Sequence, residues 1–146
     1  MATFHGYVHV PFCRVRCGYC DFNTYTSEEL DGYPQTAFLK HLEVEVQLAR
    51  QEESVRPLST VFFGGGTPTL LPANELAQAF TLLKETFGLE EGAEVTTEAN
   101  PDTLTFEYLE TLKHSGFTRI SVGMQSANRS VLKTLDRTHS PEAVGK

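Results

Sequence analysis

Polar and apolar positions along the chain follow one scheme: a short β-type run, a loop, then an apolar stripe at helical spacing, four times over with no repeat of the sequence itself. Gly6-Tyr7-Val8-His9-Val10-Pro11-Phe12 alternates and is rich in β-formers, so it predicts a first strand with Tyr7 and His9 on one face and Val8 and Val10 on the other. Phe38, Leu39, Leu42, Val46 and Ala49 recur at helical spacing, which predicts a helix from about Pro34 to Gln51 with Pro34 in its first turn. Thr60-Val61-Phe62-Phe63 is a second strand, apolar enough to suggest a parallel sheet covered on both sides. Leu76, Phe80, Leu83 and Phe87 form the stripe of a helix over 73–87 with Gly88 as its C-cap. Glu94-Val95-Thr96-Thr97 is a third strand, ended at Glu98-Ala99-Asn100-Pro101 by the proline. Thr105 caps a third helix bearing Tyr108, Leu109 and Leu112, and Gly116 closes it. A fourth strand, 118–122, leads to Gly123-Met124-Gln125-Ser126, and Asn128 caps a short helix with Val131, Leu132 and Leu135.

Strands alternating with helices in this way define an α/β class of parallel βα units. Chemistry-bearing residues follow each strand: the cysteine loop, Gly64-Gly65-Gly66-Thr67-Pro68, Glu98 and Gln125. In a (β/α) barrel those loops share the face where active sites are built. Ser140-Pro141-Glu142 reads as a further helix start, but one turn cannot stand as a helix. The expectation is therefore part of a partial barrel of about four βα units, a truncated core domain over 1–146, marginal or aggregation-prone alone because its sheet edge is open.

At 40% hydrophobic and 21% charged residues the composition is globular. A formal charge of −7 leaves no electrostatic footprint for nucleic acid or an anionic membrane. No apolar run approaches the ~20 residues of a membrane span, the first residues carry no basic-then-apolar segment, and with clustered thiols the expected compartment is the cytoplasm.

All three cysteines, Cys13, Cys17 and Cys20, lie within eight residues at CxxxCxxC spacing. Three thiolates so close can hold one soft metal centre, and a four-iron cubane would keep one iron free of protein ligands. Disulfide pairing leaves one cysteine over, and a closed zinc site needs a fourth ligand that only His5 or His9 is placed to supply. On the residues alone Tyr7 reads as a strand aromatic in a core, the glycine run as a turn, Glu98 as an exposed loop carboxylate, and Arg14 and Arg16 as solvated loop arginines or partners of thiolate charge.

CxxxCxxC with Tyr19 before its last cysteine resembles the cluster motif of radical S-adenosylmethionine (SAM) proteins. YVHVPFCRVRCGYCDFNTYT, GGGTPTLL, TTEANPD, GFTRISVGMQS and LDRTH resemble one branch, which holds the oxygen-independent coproporphyrinogen III oxidases and the HemW heme chaperones. The resemblance implies that Cys13, Cys17 and Cys20 ligate a [4Fe–4S] cluster whose open iron is chelated by SAM, which an electron then splits to methionine and a 5′-deoxyadenosyl radical. It implies SAM contacts at Tyr7, Gly65, Glu98, Gln125 and Arg137, and at Tyr19, Gly66 and Thr67 contacts that in the oxidases go to a second SAM. Glu98 would accept from the SAM ammonium, Gln125 suits ribose hydroxyls and Arg137 a carboxylate. The oxidases continue to a fourth cysteine where this chain has Phe22, which favours the chaperone branch: heme as cargo, an apo-hemoprotein acceptor that can be membrane-associated, and an electron donor. Coproporphyrinogen III decarboxylation is the alternative, and a zinc-stabilised binding module a third. The heme-binding histidine motif of that branch lies beyond Lys146, so His5, His9, His41, His114 and His139 read as ordinary.

Overall fold

In the computed structural model, which describes residues 3–52 and 56–145, β1 (His5–Val10), β2 (Leu58–Gly65), β3 (Leu89–Ala99) and β4 (Arg119–Val122) form one parallel sheet in chain order. Between them run α1 (Phe38–Glu52), α2 (Ala73–Phe87) and α3 (Phe106–Ser115), and α4 (Arg129–Thr134) follows β4. Tyr7 lies level with Phe62, Phe62 with Thr96, and Thr96 with Arg119, so the strand ends are level too. Each crossover steps to the next strand on the same side, and right-handed steps in one direction lay their helices on one face.

That face holds the core. Val8, Val10, Val61, Phe63 and Val95 from the strands join Leu42, Val46, Leu76, Phe80, Leu83 and Leu112 from α1–α3 in one apolar cluster. Phe63 and Phe80 are completely buried there, each contributing about 1.5–3 kcal/mol relative to exposure. The two-sided covering expected from the apolar run at Phe62-Phe63 is not found among the described residues. Alternation sends Phe63 to the core and Phe62 to the opposite face, where Tyr7 stacks on it while staying 60% exposed.

Five further expectations are corrected. Pro34 is extended (φ −78°, ψ 134°) and precedes a 3-10 turn at Gln35–Ala37, so α1 begins at Phe38. Ala49 is exposed, because Phe38, Leu42 and Val46 alone make the buried ridge of α1. β3 begins at Leu89, since the register shifts between the Leu58 and Thr60 pairings and the polar Glu90-Glu91-Gly92 is taken up as an irregularity. In α4 Val131 is exposed while Leu132 is buried, and the start at Ser140-Pro141 becomes a 3-10 turn over Pro141–Gly145. The caps hold: Thr105 Oγ1 accepts from the Tyr108 N–H at 3.1 Å, Asn128 Oδ1 from the Ser130 N–H at 2.9 Å, and Gly88 and Gly116 close α2 and α3. No described helix is long and apolar enough to cross a membrane.

Candidate functional site

β1 leaves the sheet at Val10, and Phe12, buried against Tyr33 and Phe38, anchors the loop that follows. The Cys13 N–H donates to the Tyr25 carbonyl at 2.9 Å and the Tyr25 N–H to the Pro11 carbonyl at 2.8 Å, pinching the loop shut at its base. At its tip the Cys20 N–H donates to the Cys17 carbonyl at 3.0 Å. All three thiols are free and half-buried. Burial pushes the Cys13 thiol up; hydrogen bonds with the Thr24 and Thr67 side chains pull it the other way, and the other two cysteines add to the rise.

The exit of β2 is laid alongside that of β1. Gly66 N–H donates to the Val10 carbonyl and Thr67 N–H to the Phe12 carbonyl, both at 2.7 Å. Gly65 sits at φ 109°, and a Cβ there would come within 2.6 Å of the His9 imidazole, so only glycine fits. Its N–H donates to Glu98 Oε2 at 3.2 Å, fixing the carboxylate at the end of β3. His9 Nε2 lies 2.8 Å from the Asn23 carbonyl, which only accepts; Nε2 therefore carries the hydrogen, and in the neutral ring Nδ1 accepts from the Tyr7 hydroxyl at 3.1 Å. Burial first and the Glu98 carboxylate second hold the Tyr7 phenol above its ordinary range. Tyr7 is thus no core aromatic; it stands on the open face of the sheet beside Glu98.

Beyond β4, Gln125 is exposed and holds a left-handed backbone (φ 54°), which is costly for a residue with a side chain. Arg137 joins the other strand ends. Its Nη1 donates to Cys17 Sγ at 3.5 Å, and its Nη2 to Asn100 Oδ1 at 2.6 Å and to the Gly123 carbonyl at 3.1 Å. Beside it Asp102 accepts from the Thr138 hydroxyl at 2.7 Å and pairs with Arg14 at 3.5 Å. Arg16 pairs with Glu29, so neither loop arginine is devoted to the thiols. His139 is buried, its Nε2 3.1 Å from the Met124 carbonyl.

These exits enclose one cleft of about 490 Å³. Cys13, Cys17, Cys20, Tyr19, Gly65, Gly66, Thr67, Glu98, Gln125 and Arg137 all line it; Tyr7 alone of the expected site residues is not on its wall, and its phenol feels the charge of Glu98, which is. Phe22 and Tyr19, 60% and 50% exposed, give one side of the cleft an aromatic rim. Asn100 and Thr24 escaped notice in the sequence. Asn100 accepts from Arg137 and donates to Thr67 Oγ1 at 3.2 Å, and its one signal was its place two residues after Glu98. Thr24, buried at Cys13, carried none.

The donor set fits a sulfur-ligated cluster. Three unpaired thiols face one cleft, beside a permanent cation at Cys17 and hydroxyls at Cys13. Among the described residues no three His, Cys, Asp or Glu side chains are grouped to hold a single metal ion.

The sequence profile of the radical SAM superfamily matches residues 7–144. The heme chaperone HemW of Mycobacterium tuberculosis is 47% identical over 138 residues, covering 94% of this chain and 35% of the relative. The mitochondrial radical S-adenosyl methionine domain-containing protein 1 of Bos taurus is 37% identical over 134 residues, covering 92% of this chain and 30% of its own. The solved structure of the Escherichia coli radical SAM enzyme coproporphyrinogen III oxidase (HemN) superposes with a TM-score of 0.82 at 29% identity, over 97% of this chain and 32% of that one. The chain spans about a third of the length of these relatives.

Proposed function

Because the chain belongs to the radical SAM superfamily, we propose that residues 1–146 are part of the core domain of a heme chaperone, carrying its [4Fe–4S] cluster and SAM site. The observation that carries this reading is the meeting of three free cysteines with Gly65, Glu98, Gln125 and Arg137 in one cleft at the strand ends. Cys13, Cys17 and Cys20 would hold the cluster, which with SAM supplies one-electron chemistry at a sulfonium. Glu98, steadied by the Gly65 N–H, has carboxylate lone pairs left for an ammonium group. Tyr7 stands beside it, Gln125 lines the same cleft and offers its amide to hydroxyls, and Gly66 and Thr67 tie the exit of β2 to that of β1.

The kinship with HemW and the phenylalanine at position 22 support chaperone over oxidase, with heme as cargo, an apo-hemoprotein as acceptor, an electron donor as partner and the cytoplasm as compartment. The acceptor can be membrane-bound. The oxidase reading draws on Tyr19, Gly66 and Thr67, which line the same cleft and match second-SAM positions. Electron paramagnetic resonance (EPR) of the intact, anaerobically reconstituted, dithionite-reduced protein tests the site: a [4Fe–4S]⁺ signal that shifts on adding SAM is expected. Stoichiometric zinc with no cluster signal would overturn it. Cys17→Ser should abolish assembly, and wild-type iron and sulfide in that variant would remove Cys17 as a ligand. Heme transfer to an apo-hemoprotein, set against turnover of coproporphyrinogen III, separates the two functions.

A further inference from the structure

We infer that His139 is a positioning residue: through the Met124 carbonyl it holds the strained turn that presents Gln125 at the exit of β4. This deepens the SAM reading above and rests on it. The turn is three residues long. The Ser126 N–H donates to the Met124 carbonyl at 2.6 Å across Gln125, whose φ is 54°. A turn closed in this way is common with a negative φ at its centre, and rare and strained with a positive one. Glycine would relieve that strain, and glutamine keeps it. The amide of Gln125 lies back over the end of β4, where a Cβ on Gly123 would come within 2.9 Å of its Nε2. The strained residue is thus one whose side chain lines the cleft.

His139 follows α4, borders a second hollow of about 470 Å³ and is not on the cleft wall. Its side chain is 6% exposed, and Nε2 lies 3.1 Å from the Met124 carbonyl, which only accepts, so Nε2 carries the hydrogen. In the neutral ring Nδ1 is then a bare acceptor, buried with no partner among the described residues. A buried nitrogen without a partner costs stability, and an apolar side chain in the same space avoids that cost. What sets imidazole apart from leucine here is the bond to Met124. That bond falls on the carbonyl that closes the turn, which accepts one N–H from within the turn and one from 15 positions along the chain. Without His139 the turn rests on Ser126 alone, and the strained backbone at Gln125 relaxes more readily. Affinity for a ligand that Gln125 contacts falls with the fraction of molecules holding the turn.

The test is equilibrium binding of SAM to the intact reconstituted protein, with variants matched for iron and sulfide. In His139→Leu, SAM affinity should fall about fivefold, the weight of one hydrogen bond, while cluster content and the urea midpoint stay close to wild type. His139→Gln again offers an N–H and should bind SAM more tightly than His139→Leu; an equal loss in the two overturns the role of that N–H. A double-mutant cycle with Gln125→Ala decides whether His139 acts through Gln125. Once Gln125 is alanine, His139→Leu should cost no further affinity. Losses that multiply, a loss that follows falling cluster content, or unchanged affinity in His139→Leu overturns the inference. Where His139→Leu does not fold, His139→Met, unbranched and equally without a donor, takes its place in the cycle. Unchanged SAM affinity in Gln125→Ala alone refutes Gln125 as a SAM contact, and wild-type protein that assembles no cluster refutes the cluster reading; both outcomes are distinct from a failed cycle.

Discussion

Replacing Glu98 with glutamine removes one charge and almost no volume, which isolates what the carboxylate does. In the structure Oε2 accepts from the Gly65 N–H at 3.2 Å, and the charge acts on Tyr7. Glutamine keeps an oxygen to accept from Gly65, so a charged hydrogen bond becomes a neutral one at a cost to the fold of about 1 kcal/mol. Its other end is an NH₂, which meets an incoming ammonium donor to donor. The lost charged hydrogen bond is about 1.5–3 kcal/mol, so SAM affinity should fall by about 10- to 150-fold. Equilibrium binding of SAM to cluster-loaded Glu98→Gln, matched for iron content, measures this. The ligand-free protein gives a second reading. A nearby carboxylate disfavours phenolate, so without it the Tyr7 phenol should ionise at lower pH than in wild type, still above its usual value because burial is the larger cause. Spectrophotometric titration referenced to Tyr7→Phe isolates that phenol. SAM affinity within twofold of wild type would refute Glu98 as the ammonium acceptor; an unmoved Tyr7 titration would refute the electrostatic picture of the site.

Two predictions concern the fold around the cleft. Gly65→Ala forces a side chain to φ 109° and into the His9 ring, adding about 1–3 kcal/mol of strain to the loss of the hydrogen bonds His9 makes to Tyr7 and Asn23, whereas Gly92→Ala at φ 75° meets nothing within 4 Å and should cost about 1–2 kcal/mol. Urea midpoints of the intact protein compare them, and an equal loss would show that the His9 contact carries no weight. Tyr108→Phe removes the hydroxyl donated to the Leu71 carbonyl at 2.9 Å and should cost about 1–3 kcal/mol at neutral pH. Burial holds the Tyr108 phenol far above its usual range, so its contribution is complete below pH ~10 and drains away as pH rises further; the gap between wild type and Tyr108→Phe should narrow above pH ~10, and a gap that widens there contradicts the assignment.

The periodic elements were legible because their cause is local: alternation in β1 and the ridges of α2 and α3 follow from which residues meet the core. The meeting of the cysteine loop, the glycine run, Glu98 and Gln125 was legible too, since parallel strands in sequential βα units place their exits on one side. What stayed hidden depends on neighbours distant in sequence. Phe62-Phe63 looks doubly buried as a string, and only the one-sided helix layer shows that Phe62 faces away from the core with Tyr7 stacked on it. Glu90-Glu91-Gly92 reads as a loop because β3 gains those residues through a register shift against β2. Asn100 resembled any residue before a proline, and its role appears only once Arg137 and Thr67 close around it. Arg137 itself was singled out by resemblance alone, and its partners could not be read from the sequence.

The bond between Arg137 and Cys17 spans 120 positions of sequence, and that separation is also an interval of time. At about 5–20 residues per second, a ribosome takes roughly 6–24 s to pass from Cys17 to Arg137. For all but the first three residues of that interval the three thiols have already been made, while the cation that fastens their loop has not. A cluster delivered to the nascent chain during it would meet an unclamped loop, exposed to oxygen and to competing metal ions. The loop can therefore be fastened only after Arg137 has been made, last among the residues that close on Cys17.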